Sequence, residues 1–123
     1  MATLDLNEDN FLETVQQNGI VLVDFWVGSC KACETFKRTF DEASKKHNDI
    51  VFGKIDTGRY KTLAKEIEII SRPTLRAYRD GIQVFTQAGA LPAETLESVI
   101  DQVRALDMDD IHKQVKEMSE TQV

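Results

Sequence analysis
Residues 20 to 27 read Ile-Val-Leu-Val-Asp-Phe-Trp-Val, a run in which Asp24 is the one polar residue. It is rich in β-branched and aromatic side chains, so a strand is expected there. Because apolar residues occupy both alternating sets of positions, both faces of that strand must be covered, which places it in the middle of a sheet. A carboxylate in such a strand costs roughly several kcal/mol unless it is protonated, paired or put to use. Asp24 is therefore a candidate functional residue from its setting alone, although capping of nearby backbone would also account for it.

Around this strand the hydrophobic pattern supplies the covering elements. A helix is expected over 7 to 17, where Asn7 is a good N-cap, Phe11, Leu12 and Val15 fall at helical spacing and Gly19 ends the pattern. A second runs from Lys31 to His47, with Phe36, Phe40 and Ala43 three to four apart. Residues 49 to 56 read as another strand, 61 to 68 as a short helix, and 74 to 90 as two strands around the turn signal Arg-Asp-Gly. Residues 91 to 106 place Pro92 at a helix start and set Leu96, Val99, Ile100 and Val103 on one face. With a short strand near residues 3 to 5, the order gives an α/β fold: a mixed sheet sandwiched by helices, with right-handed crossovers between parallel strands.

No internal repeat, low-complexity tract or linker divides the chain, and 123 residues, 41% of them hydrophobic, suit one domain with its own core. Twenty-one acidic residues are interspersed with fifteen basic ones, for a net charge of −6, which argues against a nucleic-acid surface. No apolar run approaches the roughly 20 residues of a membrane span. The opening Met-Ala-Thr-Leu-Asp-Leu-Asn lacks the charged and apolar regions of a signal peptide. A cytoplasmic monomer without membrane association is the expectation.

Cys30 and Cys33 are the only cysteines, set as C-x-x-C where the central strand gives way to a helix. Two cysteines do not staple a small secreted domain, and this spacing in a reducing compartment points to redox or metal chemistry. Structural zinc needs about four ligands, and the chain offers only His47 and His112 besides the cysteines, with His47 on the order of 20 Å along the helix. Cys30 precedes the helix, where free backbone N–H groups and the positive end of the dipole favour a thiolate. Cys33, one turn inside, is the more buried thiol and suits resolution of a mixed disulfide. Asp24 lies on the face above which the turn brings Cys33 back, a candidate general base, with Lys54 on the neighbouring strand as counter-charge. Two inert core cysteines are the alternative. For Arg72-Pro73, the residues alone favour a trans bond, since cis accounts for about 5–6% of X-Pro bonds.

Taken together, Val-Leu-Val-Asp-Phe-Trp ahead of C-x-x-C, Lys-Ile-Asp at 54 to 56, Arg-Pro-Thr at 72 to 74, Asp-Gly at 80 to 81 and Ala-Gly-Ala-Leu at 88 to 91 resemble the thioredoxin family in type and spacing from about Asn7 to Leu106. The resemblance implies the thioredoxin fold over residues 1 to 106. It implies dithiol–disulfide exchange with disulfide-containing protein substrates, without metal or bound cofactor, and a thioredoxin reductase as a candidate electron donor. Cys30 would be the nucleophile, Cys33 the resolving thiol, and Asp24 the buried proton acceptor with Lys54 beside it. Against the trans expectation, the bond before Pro73 would be cis, presenting the backbone of Arg72 to substrate. Trp26 would pack behind the site, and Gly89 and Ala90 would edge the substrate groove.

The chain departs from the family at the site itself. Ser29, Lys31 and Ala32 surround the cysteines where thioredoxins read Trp-Cys-Gly-Pro-Cys, and all three join the expected groove. Lys31 adds a positive charge that is expected to favour the Cys30 thiolate. Arg72 stands where the family has an apolar residue, and a guanidinium beside Cys30 would favour an acidic partner. Arg38 replaces a proline within the helix, which should then be straighter. Residues 107 to 123 are expected to add a short helical extension, packed on the domain or tailing it, with Met108, Ile111, Val115 and Met118 on one stripe and His112 facing solvent. A thioredoxin-fold adaptor or redox sensor with restricted partners is the alternative function.

Overall fold
The apolar run is β2 (Ile20–Trp26), and Val21 through Phe25 are all buried. In the computed structural model, which describes residues 2 to 121, β2 lies at the centre of a five-stranded sheet. The elements follow in the order β1 (Thr3–Asp5), α1 (Phe11–Gln17), β2, α2 (Lys31–Lys46), β3 (Ile50–Asp56), α3 (Lys61–Glu66), β4 (Thr74–Arg79), β5 (Ile82–Ala88), α4 (Ala93–Ala105) and α5 (Met108–Thr121). The strand order is β1-β3-β2-β4-β5. β2 runs parallel to β3 and antiparallel to β4, so the sheet is mixed.

Alternation along β2 builds two cores. Leu22 packs with Phe36 and Phe40 of α2 and with Leu96 and Ile100 of α4. Val21, Val23 and Phe25 face the other way, toward Phe11 and Val15 of α1 and Ala64 of α3. Each fully buried side chain of this kind is worth about 1.5–3 kcal/mol relative to exposure. The even-numbered face that carries Leu22 also carries Asp24 and Trp26, which puts the carboxylate beneath α2.

The element boundaries differ from the pattern in instructive places. α1 begins at Phe11 because Asn7 caps a leading turn: its Oδ1 accepts from the N–H groups of Asp9 and Asn10 at 2.8 and 3.0 Å. The hairpin turns on Asp80 and Gly81, both at positive φ, the geometry that matches strand twist in a two-residue loop. α2 runs unbroken from Lys31 to Lys46, through Arg38.

α4 ends where Arg79 Nη1 donates to the carbonyls of Val103, Arg104 and Leu106 at 2.8, 3.0 and 3.0 Å. α5 follows, its first turn capped by Asp107, whose Oδ1 accepts from the Asp110 N–H at 3.1 Å. Met108 is buried and Ile111 half-buried, whereas Val115 and Met118 are exposed, so the expected stripe docks through its first turn only. His112 is half exposed and sits 3.6 Å from Asp80. Residues 122 and 123 of the expected extension lie outside the described residues. Among the described residues, no helix is long and apolar enough to cross a membrane.

Candidate active site
β2 ends at Trp26, and the chain reverses through Gly28 and Ser29 before α2 begins. Ser29 takes a left-handed φ of 58°, a conformation that costs a side-chain-bearing residue on the order of 1–2 kcal/mol. That turn sets Cys30 at the N-cap of α2, with its Sγ accepting from the Cys33 N–H at 3.1 Å. Cys30 and Cys33 form a disulfide across 5.2 Å between Cα atoms. Cys33 is only 4% exposed while Cys30 is half-buried, so the first sulfur is the one a partner can reach. Ser29, Lys31 and Ala32 are exposed around it.

Facing Cys30 is the Arg72–Pro73 peptide, which is cis, as the family resemblance implied and against the reading of the residues alone. The Arg72 carbonyl lies 4.0 Å from Cys30 Sγ. Gly89 closes this side by donating its N–H to the Pro73 carbonyl at 2.8 Å, and its φ of 96° is one that glycine adopts without penalty. Ala90 is partly buried against the α2–α4 core.

The expected guanidinium beside Cys30 is otherwise engaged. Arg72 Nε donates to Thr57 Oγ1 at 2.8 Å and Nη1 to the Ile70 carbonyl at 3.0 Å, so it is the carbonyl that Arg72 sets beside the sulfur. Thr57 is buried and donates its hydroxyl and its N–H to the Trp26 carbonyl, both at 2.8 Å. Nothing in the sequence pattern singled out Thr57; its position just past the end of a strand that neighbours β2 is the one signal available.

Beneath the disulfide lies Asp24, 1% exposed, and neither of its carboxyl oxygens has a hydrogen-bond partner. Burial pushes its pKa up from 3.8 to about 7; the nearby Lys54 charge opposes the rise and the Asp41 charge adds to it. Asp24 and Lys54 are register partners on β2 and β3. The Lys54 ammonium, however, stands 3.6 Å from Asp41 on α2, so the expected counter-charge is shared with a second carboxylate. Asp41 was legible only as a residue two turns beyond Cys33, flanking the buried stripe of α2. A cavity of about 370 Å³ joins these groups, lined by Asp24, Trp26, Cys30, Cys33, Lys37 and Lys54 among others.

His47, at the far end of α2, is held by Glu97 Oε2 at 2.7 Å and Arg104 Nη2 at 2.9 Å and is stacked on Phe52. It belongs to the docking of α4, remote from the cysteines.

The thioredoxin family model matches residues 2 to 102. A putative thioredoxin 2 of Streptomyces coelicolor is 43% identical over 116 residues, covering 94% of this chain and 87% of the relative. A match of that length continues past residue 106 into the extension. A thioredoxin of Coprinus comatus is 32% identical over 102 residues, 81% of this chain and 95% of that one. Among solved structures, a Plasmodium falciparum thioredoxin superposes with a TM-score of 0.76 at 28% identity, covering 81% of this chain and 98% of its own. Thioredoxin f from spinach chloroplast gives 0.78 at 25% identity, over 85% and 95% of the two chains.

Proposed function
From the premise that this chain belongs to the thioredoxin family and is a thiol–disulfide oxidoreductase, we propose the following roles for its residues. The reduced Cys30 thiolate attacks one sulfur of a protein disulfide. The substrate S–S bond breaks, its second sulfur leaves as a thiolate and takes up a proton, and a Cys30–substrate disulfide forms. Cys33 then loses its proton and attacks the Cys30 sulfur, releasing the other substrate thiolate and closing the Cys30–Cys33 bond. The substrate gains two electrons and the cysteine pair loses two.

Asp24 is the acceptor of the Cys33 proton. The observation that carries this role is a carboxyl group buried without a hydrogen-bond partner in the cavity that Cys33 also lines. A group that titrates at about 7 exists in both forms near neutral pH, which suits a general base and its reverse. Lys54 acts beside it, its charge divided between Asp24 and Asp41. Trp26, Ser29, Lys31, Ala32, Arg72, Pro73, Gly89 and Ala90 form the groove that receives the substrate chain.

The partners are disulfide-containing proteins, with a thioredoxin reductase returning the pair to the dithiol, and the protein works as a monomer in the cytoplasm. The pairing of its only two cysteines into a redox centre fits a reducing compartment. The chain from residue 107 on is a helical extension, packed on or tailing the domain of residues 1 to 106. The scheme uses no metal or cofactor.

Insulin reduction driven by dithiothreitol tests the reading. Turnover well above background is expected, with loss of that turnover in Cys30→Ser and accumulation of a covalent mixed disulfide in Cys33→Ser. An unaltered Cys30→Ser rate would overturn it.

A further inference from the structure
The sulfur that a substrate must reach stands between two pieces of backbone. One is the turn from Trp26 to Cys30; the other is the loop from Ile70 to Thr74, whose Arg72 carbonyl faces Cys30 Sγ at 4.0 Å. The two are joined by a single chain of hydrogen bonds. Arg72 Nε donates to Thr57 Oγ1, and that hydroxyl donates onward to the Trp26 carbonyl, each at 2.8 Å. The Thr57 hydroxyl has one proton, which is spent on Trp26, so its lone pair is what Arg72 binds. Thr57 is 1% exposed, which leaves little room for water to replace either partner. The same guanidinium, through Nη1, holds the Ile70 carbonyl at 3.0 Å, and Thr74 Oγ1 holds the Ser71 carbonyl at 2.7 Å. The loop is thus fastened at three successive residues.

We propose that Arg72 is a positioning residue for exchange with protein disulfides: clamped through Thr57 to the Trp26 carbonyl, it fixes the width of the slot between its own carbonyl and Cys30. The proposal deepens the oxidoreductase reading and rests on it. The slot matters for an extended polypeptide, which must lay its backbone along the loop to deliver a sulfur to Cys30. It matters little for a small disulfide that makes no backbone contact. Because two of its three nitrogens are engaged in this way, the guanidinium acts through geometry, and a preference for acidic partners does not follow from its presence.

The test is steady-state kinetics with insulin and with 5,5′-dithiobis(2-nitrobenzoate), on the full chain. Arg72→Met and Thr57→Val are each expected to raise the insulin KM about tenfold, the worth of one charge-assisted hydrogen bond. For Thr57→Val, which lies outside the groove, the rate with the small disulfide should change less than twofold. Thr57→Val leaves the arginine charge in place, so its effect separates geometry from charge. The double variant should be no worse than Arg72→Met, which alone also gives up the Ile70 bond, since Thr57→Val breaks the same link to Trp26. Thr57→Ser, which keeps the hydroxyl, should return KM to the parental value; a Thr57→Ser protein as impaired as Thr57→Val overturns the clamp, as do additive effects or equal losses on both substrates. A parent protein that does not reduce insulin removes the oxidoreductase reading and the clamp with it, whereas parental turnover with an unmoved KM removes the clamp alone.

Discussion

At the end of the sheet where β3 begins and β4 finishes, every prominent charge meets a partner. His47 bonds Glu97 and Arg104, Arg104 spans on to Asp49, and Arg79 gathers three carbonyls from the end of α4. At the opposite end, Asp24 is buried deeper than any of these groups and has no hydrogen bond at all. The two aspartates make the contrast numerical: the Arg104 hydrogen bond holds the Asp49 carboxyl down to about 2, while burial pushes Asp24 up to about 7. Satisfied charges fasten elements to one another. A carboxyl group denied its partners keeps its proton until near neutral pH, which is where a resolving thiol needs a base.

The comparison can be broken most severely at Asp24. Replacement by Asn should slow release of the mixed disulfide by about 10²-fold or more, read by single-turnover kinetics with a labelled disulfide substrate. Its effect on stability has the opposite sign. The folded-state pKa lies above the unfolded one, so the native protein binds the extra proton between about 3.8 and 7 and loses stability as pH rises through that window. Denaturant titrations should therefore show the parent losing on the order of 4 kcal/mol between pH 4 and pH 8, about three pKa units. Asp24→Asn should show a flat profile over that range; an unchanged slope would mean that Asp24 ionises freely.

At the satisfied end, Arg79→Met should cost about 2 kcal/mol, the worth of a charge-assisted bond at the end of α4, with no change in insulin turnover. A loss of turnover as large as the loss of stability would erase the distinction between the two ends. Asp41→Asn sits between the regimes. Removing that negative charge lowers the Asp24 pKa and frees Lys54 from the 3.6 Å contact, so the fall in stability should still begin near the unfolded value but end at lower pH and be smaller. A shift of the pH midpoint by less than one unit is expected, and an upward shift would contradict the arrangement. The smallest effect belongs to the exposed part of α5, where Met118→Ser should alter thermal stability by less than about 0.5 kcal/mol.

Much of this was written in local pattern. Val21, Leu22, Val23 and Phe25 announced a strand covered on both faces, and the Phe36–Phe40 spacing announced the helix that covers one of them. Cys30 and Cys33 fell at the junction between the two because a period of 2 changes there to one of 3.6. The buried Asp24 was conspicuous for the same reason. Thr57 and Asp41 were not, because a single threonine after a strand or an aspartate on the flank of an amphipathic helix is ordinary until something is packed against it. Asn7 shows the limit at a boundary: a good capping residue was recognised, but the turn it caps precedes the regular helix.

The sequence by itself determined the order of elements, the two faces of the central strand, the closeness of the only two thiols and the anomaly of a carboxylate among apolar neighbours. These depend on residue type and on spacing within one segment, where periodicity reports burial directly. Only the tertiary structure decided which acceptor each long cationic side chain chose. Lys54 could reach Asp24 across the register or Asp41 across the layer, and Arg72 could face Cys30 or turn to Thr57. Such choices are competitions between groups distant in sequence, settled by differences of a few ångströms that no local pattern encodes.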